Sequence, residues 1–289
     1  METDYLKEFI VLSETGNYLQ AAEELFIAQS SLSKHIKALE IELGVPLFNR
    51  TPRKVELTSY GKSFLKCAQQ IVDIQYSFQR DLANQLDEKQ QTLRIGSIPL
   101  MAPYRITDII MKYQRENEHC TINLLEEESF TLKEMLRKNK CDLAFIREEG
   151  DTDEEFAKFP YTSDHLVAIL PSTHPLAKRS SLQLEELKDE NFLLLQPDSL
   201  LYSISTTACQ KAGFTPNIAY TGKRAENIMD LVEKGMGVSL LMEKPILSLA
   251  TPKVAIVDVT PTVSTNIYIY YKKNIPLSSA AKKFLLAAL

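Results

Sequence analysis

Apolar residues in the first sixty positions recur at helical spacing and are interrupted at short intervals. Tyr5, Phe9 and Leu12 mark one helix, which Thr15-Gly16 stops. Asn17 is a capping residue at the head of a second helix with Ala21, Ala22 and Leu25 on its inner face. After Phe26-Ile27-Ala28 a third stripe passes through Leu32, Ile36, Leu39 and Leu43 until Gly44 ends it. Subtracting that stripe leaves Ser30, Ser33, Lys34 and Lys37 facing outward. Two strand-like runs at 48–51 and 55–58 then flank Pro52-Arg53-Lys54, the pattern of a hairpin with a basic tip.

From residue 58 to about 90 the chain holds no proline and one early glycine, Gly61. Tyr60, Phe64, Cys67, Ile71, Ile74 and Phe78 alternate by three and four, and Leu82 and Leu86 extend the series. A seam this narrow on a long helix asks for a second copy of itself, the alternative being a helix packed on its own domain.

Beyond Thr92 the texture changes to short apolar runs separated by helical stretches. Runs at 93–96, 121–125, 143–146, 166–170, 192–195 and 238–242 read as strands. Helices are expected over 107–115, 132–138, 203–211 and 226–234. The alternation predicts βαβ units on a mainly parallel sheet. A last strand is expected at 265–271, followed by a helix running to Leu289.

Composition changes this picture only locally. With 289 residues the chain has room for two folded units, and 44% hydrophobic against 25% charged residues fits ordinary cores. The net charge of −5 repels nucleic acid and anionic membrane, so any DNA contact needs a local basic patch. Two such patches exist. Residues 29–38 carry Lys34, His35 and Lys37 with no acid, and 49–55 carry Arg50, Arg53 and Lys54 with no acid. The acidic N-terminus is unlike a signal peptide and no run of 18 apolar residues occurs, so a cytoplasmic protein with no membrane contact is expected.

Three short helices and a basic hairpin form the pattern of a winged helix-turn-helix, whose third helix enters the major groove by its N-terminal end. Gln29, Ser30, Ser33 and Lys34 stand there. Glutamine pairs bidentately with adenine, lysine donates to guanine or phosphate, and small serines let the backbone approach. The candidate DNA contacts are therefore Gln29, Ser30, Ser33, Lys34, Lys37, Arg50, Arg53 and Lys54, and the partner is double-stranded DNA.

Enzymatic readings fare badly. No GxSxG, HExxH or phosphate loop is present, and Gly235-Met236-Gly237 precedes Leu240 where a dinucleotide fingerprint needs glycine. His35, His119, His165 and His174 lack ligand spacing, so neither catalysis, metal nor cofactor is expected.

Small-molecule chemistry in an α/β unit gathers at the carboxyl ends of parallel strands and at helix N-termini. Here those points are Ser97, Ile98, Pro99, Leu100 and Met101, then Ser129-Phe130-Thr131, Arg147, and Thr221-Gly222-Lys223-Arg224. Thr131, Arg147, Lys223 and Arg224 are candidate contacts for an anionic effector, and Phe145 marks an apolar region beside them. The competing reading is that Ser129 or Thr131 only caps its helix and that Arg147 pairs with Glu148 or Glu149 at the surface.

Residues 5–65 resemble the N-terminal domain of LysR-type transcriptional regulators, through Ala-Ala-Glu-Glu-Leu at 21–25, Gln-Ser-Ser-Leu-Ser-Lys-His-Ile at 29–36, Leu-Gly-Val-Pro-Leu-Phe-Asn-Arg at 43–50 and Leu-Thr-Ser-Tyr-Gly at 57–61. The likeness continues in Ile-Gly at 95–96, Lys-Cys-Asp-Leu-Ala-Phe at 140–145, His-Pro-Leu-Ala at 174–177 and Glu-Lys-Gly-Met-Gly-Val at 233–238. Ala28 and Ser30 depart from the pattern, which usually has a capping Ser or Thr at the first and proline at the second.

The resemblance implies an α+β multidomain protein: a winged helix-turn-helix over 1–58, a linker and dimerisation helix over 59–90, and a two-lobed, periplasmic-binding-protein-like α/β effector domain over 91–289. Lobe I would be 92–163 plus 266–289, and lobe II 164–265. It further implies palindromic promoter sites, a homodimer or homotetramer, RNA polymerase as a partner, and an effector between the lobes. A redox-responsive regulator is the sharper alternative, because Cys209 stands where peroxide-sensing members keep one of two cysteines, yet 197–207 has no second one. A solute-binding protein of the same two-lobed fold is the other.

Overall fold

The computed structural model describes residues 2–50, 55–86, 91–148 and 154–288. It divides into two compact units, residues 1–88 with 273–276 and residues 89–272 with 277–289. The long helix lies in the first of these units.

In the first unit, α1 (Thr3–Thr15), α2 (Tyr18–Leu25) and α3 (Gln29–Leu43) precede the hairpin β1 (Phe48–Arg50) and β2 (Val55–Leu57) and the helix α4 (Ser59–Leu86). Leu6, Phe9 and Leu12 meet Ala21, Ala22, Leu32, Ile36 and Leu39 in one core, which Leu47, Phe48 and Ala68 close. Leu43, expected on the inner stripe, is exposed one turn past the core. Asn17 caps α2 by accepting from the amides of Leu19 and Gln20. Glu40 accepts from the amides of Leu47 and Phe48 at 2.8 and 3.2 Å, which fixes the entry to the hairpin. Thr58 starts α4 in the same way. Its hydroxyl donates to the Pro46 carbonyl at 2.7 Å and accepts from the Gly61 amide at 3.0 Å. Residue 61 must be glycine because a Cβ there would lie 2.2 Å from the Leu47 carbonyl oxygen.

The second unit runs β3 (Gln91–Ser97), α5 (Ile106–Glu116), β4 (Cys120–Glu126), α6 (Ser129–Arg137), β5 (Leu143–Glu148), β6 (Phe156–Pro171), β7 (Ser181–Gln183), β8 (Asn191–Leu195), α7 (Leu200–Lys211), β9 (Asn217–Gly222), α8 (Ala225–Glu233), β10 (Ser239–Met242), α9 (Glu243–Leu247), β11 (Val254–Thr260), β12 (Ser264–Lys272) and α10 (Ser279–Ala287). Strand order in the large sheet is β4-β3-β5-β12-β6-β11-β7, with β10 also on β6, while β8 and β9 pair separately.

The sheet is mixed, not mainly parallel. β3 pairs in parallel with β4 and β5, but β12 is antiparallel to β5 and β6, and β6 is antiparallel to β10 and β11. The apolar run 166–170 explains the difference. Leu166, Ala168 and Leu170 face one core, with Phe192, Cys209 and Val257. Val167 and Ile169 face another, with Ile228, Val232 and Leu241. A strand covered on both faces loses its alternation, so its sequence does not reveal the direction of its neighbours.

β6 also joins the two lobes. Its first half pairs with β12 and its second half with β10 and β11. Lobe I has its own core, where Leu93, Ile95, Leu143, Phe145 and Ile269 pack against Tyr113 and Phe284. Arg94 and Asp142 fasten two of its strands: the Arg94 amide donates to Asp142 at 2.9 Å and its guanidinium does so at 2.8 Å.

Candidate functional site

At the head of α3, Gln29, Ser30, Lys34 and Lys37 are exposed and Ser33 is half-buried. Their exposure follows from the stripe of Leu32, Ile36 and Leu39, which takes the opposite side into the core. Ala28 occupies the cap position without a side-chain cap bond, and its carbonyl accepts from Ser31 and Leu32 at 3.0 and 3.1 Å. His35 is a different case from its basic neighbours. Its ring stacks on Tyr5 with centroids 4.2 Å apart, and Nδ1 lies 2.8 Å from a carboxylate oxygen of the buried Glu8. Burial pushes the Glu8 carboxyl upward in pKa, and His35 opposes that shift. The imidazole therefore ties α3 to α1. Arg50 ends β1, but its side chain lies outside the described residues, as do Arg53 and Lys54.

The heptad series on α4 splits in two. Phe64 turns toward the core, its ring centroid 5.0 Å from that of Phe9. Tyr60, Cys67, Ile71, Ile74, Phe78 and Leu82 are exposed, Ile74 and Phe78 by 67% and 65%. The side chain of Leu86 and residues 87–90 lie outside the described residues.

In the second unit a cavity of about 150 Å³ opens between the lobes. Ile98, Pro99, Leu100, Glu128, Ser129 and Arg147 line it from lobe I. Most of the lobe II wall is apolar, through Leu195, Leu200, Leu201, Leu241, Met242, Pro245 and Ile246, with Ser199 and Lys223 as its polar members. The helices α6, α7 and α8 begin at the cavity, α6 from the lobe I side. Ser129 opens α6, Ser199 caps α7 through the Tyr202 amide at 3.2 Å, and Ala225 opens α8. Free amides at helix starts favour negative charge, as do Arg147 and Lys223.

Arg147 does not pair with Glu148 at the surface. It is 6% exposed, and its guanidinium donates to the Thr265 hydroxyl and to the phenol oxygen of Tyr104, whose ring it also overlies. Glu148 pairs with Lys158. Beside Arg147, the Glu128 carboxyl is raised in pKa, by desolvation first and then by Asp198 and Glu127, with Arg147 opposing.

The remaining expected positions lie off this wall. Ser97 is fully buried and donates to the Ile98 carbonyl at 3.0 Å, because the pleat of β3 turns it inward. Phe145 is core, edge-on to Tyr161 and Phe284. Met101 packs on the lobe I core, Thr131 is exposed two residues beyond Ser129, and Arg224 is the exposed residue that precedes α8.

A helix-turn-helix unit followed by a two-lobed α/β unit with an interlobe cleft is the geometry that the family comparison identifies. Residues 3–62 match the model described as bacterial regulatory helix-turn-helix protein, lysR family, and residues 86–289 match the LysR substrate binding domain. The chain belongs to the LysR family of transcriptional regulators. Among LysR-family relatives it is 30% identical over 289 residues to the transcriptional dual regulator GltC of Bacillus subtilis, covering 98% of this chain and 95% of that one. It is 27% identical over 274 residues to the hydrogen peroxide-inducible genes activator of Haemophilus influenzae, covering 94% and 91%. The solved structure of HinK, a LysR family transcriptional regulator from Pseudomonas aeruginosa, matches with a TM-score of 0.61 at 27% identity, covering 99% and 97%.

Within this LysR-type regulator the residues that suggested other chemistry have structural places. Cys209 is buried in the lobe II core and its thiol is pushed up to about 12 by burial, which suppresses the reactive thiolate. Gly235 closes α8 with a φ of +79°, and a Cβ on Gly237 would lie 2.2 Å from the Asn191 carbonyl oxygen, so the Gly-Met-Gly run serves the approach of β10 to β8. Asp164, His165 and Glu243 bring potential metal-binding atoms within 4.8 Å of one another. Both Asp164 oxygens already accept hydrogen bonds, from Tyr104, from the His165 amide and from the Lys244 amide. Among the described residues no helix is long and apolar enough to cross a membrane.

Proposed function

We propose that this LysR-type regulator acts in the cytoplasm and binds palindromic promoter DNA through the head of α3 and the basic hairpin. Gln29, Ser30 and Ser33 read base edges, while Lys34, Lys37, Arg50, Arg53 and Lys54 meet phosphates. The exposed stripe of α4 pairs with the same stripe of a second chain, giving a homodimer that can assemble further into a homotetramer. Two-fold symmetry of the protein then requires two-fold symmetry of its operator. RNA polymerase is the downstream partner.

The observation that carries the regulatory half of this reading is the interlobe cavity, where Arg147, Lys223, Ser129, Ser199 and the starts of α6, α7 and α8 stand on a mostly apolar wall and outnumber its one acid, Glu128. That lining supports a small anion with an apolar body, held at the charged end by Lys223, Ser129 and Ser199. Ile98, Pro99 and Leu100 cover it from lobe I. Ser97, Phe145 and Met101 act from beneath, by shaping the wall, while Thr131 and Arg224 flank it. An effector bound to both lobes biases their closure by its differential affinity for the closed form.

A redox-responsive reading is favoured by the likeness to a peroxide-inducible activator and opposed by the burial of Cys209. Thermal denaturation of the full chain against a panel of aliphatic and aromatic carboxylates tests the effector reading. At least one carboxylate raises the unfolding midpoint in proportion to its occupancy, and the matching neutral amide does not. If amides and carboxylates stabilise equally, the anion assignment fails.

A further inference from the structure

Phe26 is 95% exposed, more than any other large apolar side chain among the described residues. It stands at the end of α2 with φ +56°, in the left-handed region, where its amide donates to the Ala22 and Glu23 carbonyls. The Ile27 amide closes the turn onto Ala22 at 3.0 Å. Glycine or asparagine is the usual occupant of such a position, because a Cβ there crowds the backbone. A phenylalanine at this point gains nothing from the core and is disfavoured by both its backbone and its hydration. Such outliers persist where a function retains them.

The neighbours indicate which function. Ile27 packs on the core, and Ala28, Gln29 and Ser30, which follow, are all exposed at the head of α3. The ring is therefore continuous with the surface assigned to the operator. No lysine or arginine occurs between Lys7 and Lys34, so the turn offers a phosphate no cation. What it offers is an apolar face. The apolar group that base edges present in the major groove is the C5-methyl of thymine.

We propose that Phe26 is a specificity-determining residue whose ring covers a thymine methyl at the edge of the site read by Gln29 and Ser30. This rests on the placement of α3 in the major groove. Burial of one methyl group corresponds to about a fourfold change in affinity.

The test uses the full-length protein and an operator selected by it from random duplex DNA. Phe26→Asn suits the left-handed backbone, so its thermal midpoint equals or exceeds that of the unaltered protein. Thymines of the operator are replaced one at a time by deoxyuridine. For the unaltered protein, one symmetric pair of replacements lowers affinity about fourfold per half-site, and for Phe26→Asn the same pair has no effect. Equal losses in both proteins at every position overturn the proposal, as does unchanged operator affinity in Phe26→Asn. If affinity is unchanged while promoter activation is lost, the ring serves a protein partner and the proposal is overturned. Gln29→Ala separates this from failure of the α3 reading: a loss in Gln29→Ala with none in Phe26→Asn rejects the inference alone, whereas no loss in either rejects the docking of α3.

Discussion

Tyr104 of lobe I donates its phenol proton to Asp164, at the lobe II boundary on β6, across 2.5 Å, with both side chains buried. The same phenol oxygen accepts from Arg147, a wall residue of the cleft. Asp164 in turn accepts from the His165 amide at 2.8 Å and the Lys244 amide at 3.4 Å, where α9 begins. Arg147 is thereby connected to both lobes through one phenol. Tyr104→Phe removes the donor and leaves Asp164 and Arg147 each short of a buried partner, a loss on the order of 1 to 3 kcal/mol. Urea unfolding of the full chain should show that decrease, and an unchanged midpoint would remove the phenol from the lobe connection.

The proposed pairing of α4 with a second copy would bury Ile71 and Ile74, which are exposed in the single chain. An aspartate placed at a buried apolar seam has no partner for its charge, so Ile71→Asp with Ile74→Asp should sediment as a monomer. The fold of the first unit should survive, since neither residue belongs to its core. A double variant that remains dimeric assigns the stripe another role.

The salt dependence of operator binding checks the head of α3. Each phosphate neutralised contributes about −0.9 to the slope of log affinity against log salt. Lys34→Ala should make that slope shallower by about one contact per half-site. Gln29→Ala should leave the slope intact and weaken preference at one base pair by roughly 1 to 3 kcal/mol. An unchanged slope in Lys34→Ala would remove that lysine from the phosphate contacts.

Much of this surface was legible in the sequence because helix periodicity assigns both faces at once. Leu32, Ile36 and Leu39 go in, so Ser30, Lys34 and Lys37 go out. His35 shows the limit of that logic: spacing put it among the basic residues, but a contact 27 positions away, with Glu8, turned it inward. The cleft was less legible. Its lobe II wall is built from leucines that read as core, and Ser199 lies before a helix whose start was expected only at residue 203. β7 has three residues and α9 has five with Pro245 inside it, too little pattern to reveal either. Ser97 ends β3 and the pleat buries it, whereas Ser129 opens α6 and lines the cavity, a difference that residue type alone does not reveal.

Glu128 gives the cleft a pH dependence. Its folded pKa is raised above the ordinary 4.5, so the folded state holds the proton more tightly than the unfolded chain. Stability therefore falls as pH rises from about that ordinary value through the folded one, and stays lower above it. Glu128→Gln, which mimics the protonated group, should unfold at a higher midpoint than the unaltered protein at pH 7, with the gap closing as pH falls toward 4.5. The same substitution should tighten binding of a stabilising carboxylate, since a negative neighbour of Arg147 is gone. Equal midpoints at every pH would contradict this.

The regulatory account is tested most directly by the bend of a selected operator, read as energy transfer between fluorophores at its two ends, while the stabilising carboxylate is titrated onto the full-length protein. Lys223 lines the cavity and is exposed, so Lys223→Met removes a charge without emptying a core. The unaltered protein should change the end-to-end transfer in step with carboxylate occupancy, and Lys223→Met should bind the operator equally well but require a higher carboxylate concentration for the same change. If both proteins respond at the same concentration, or if neither responds while the carboxylate still stabilises the fold, the cleft does not regulate the DNA.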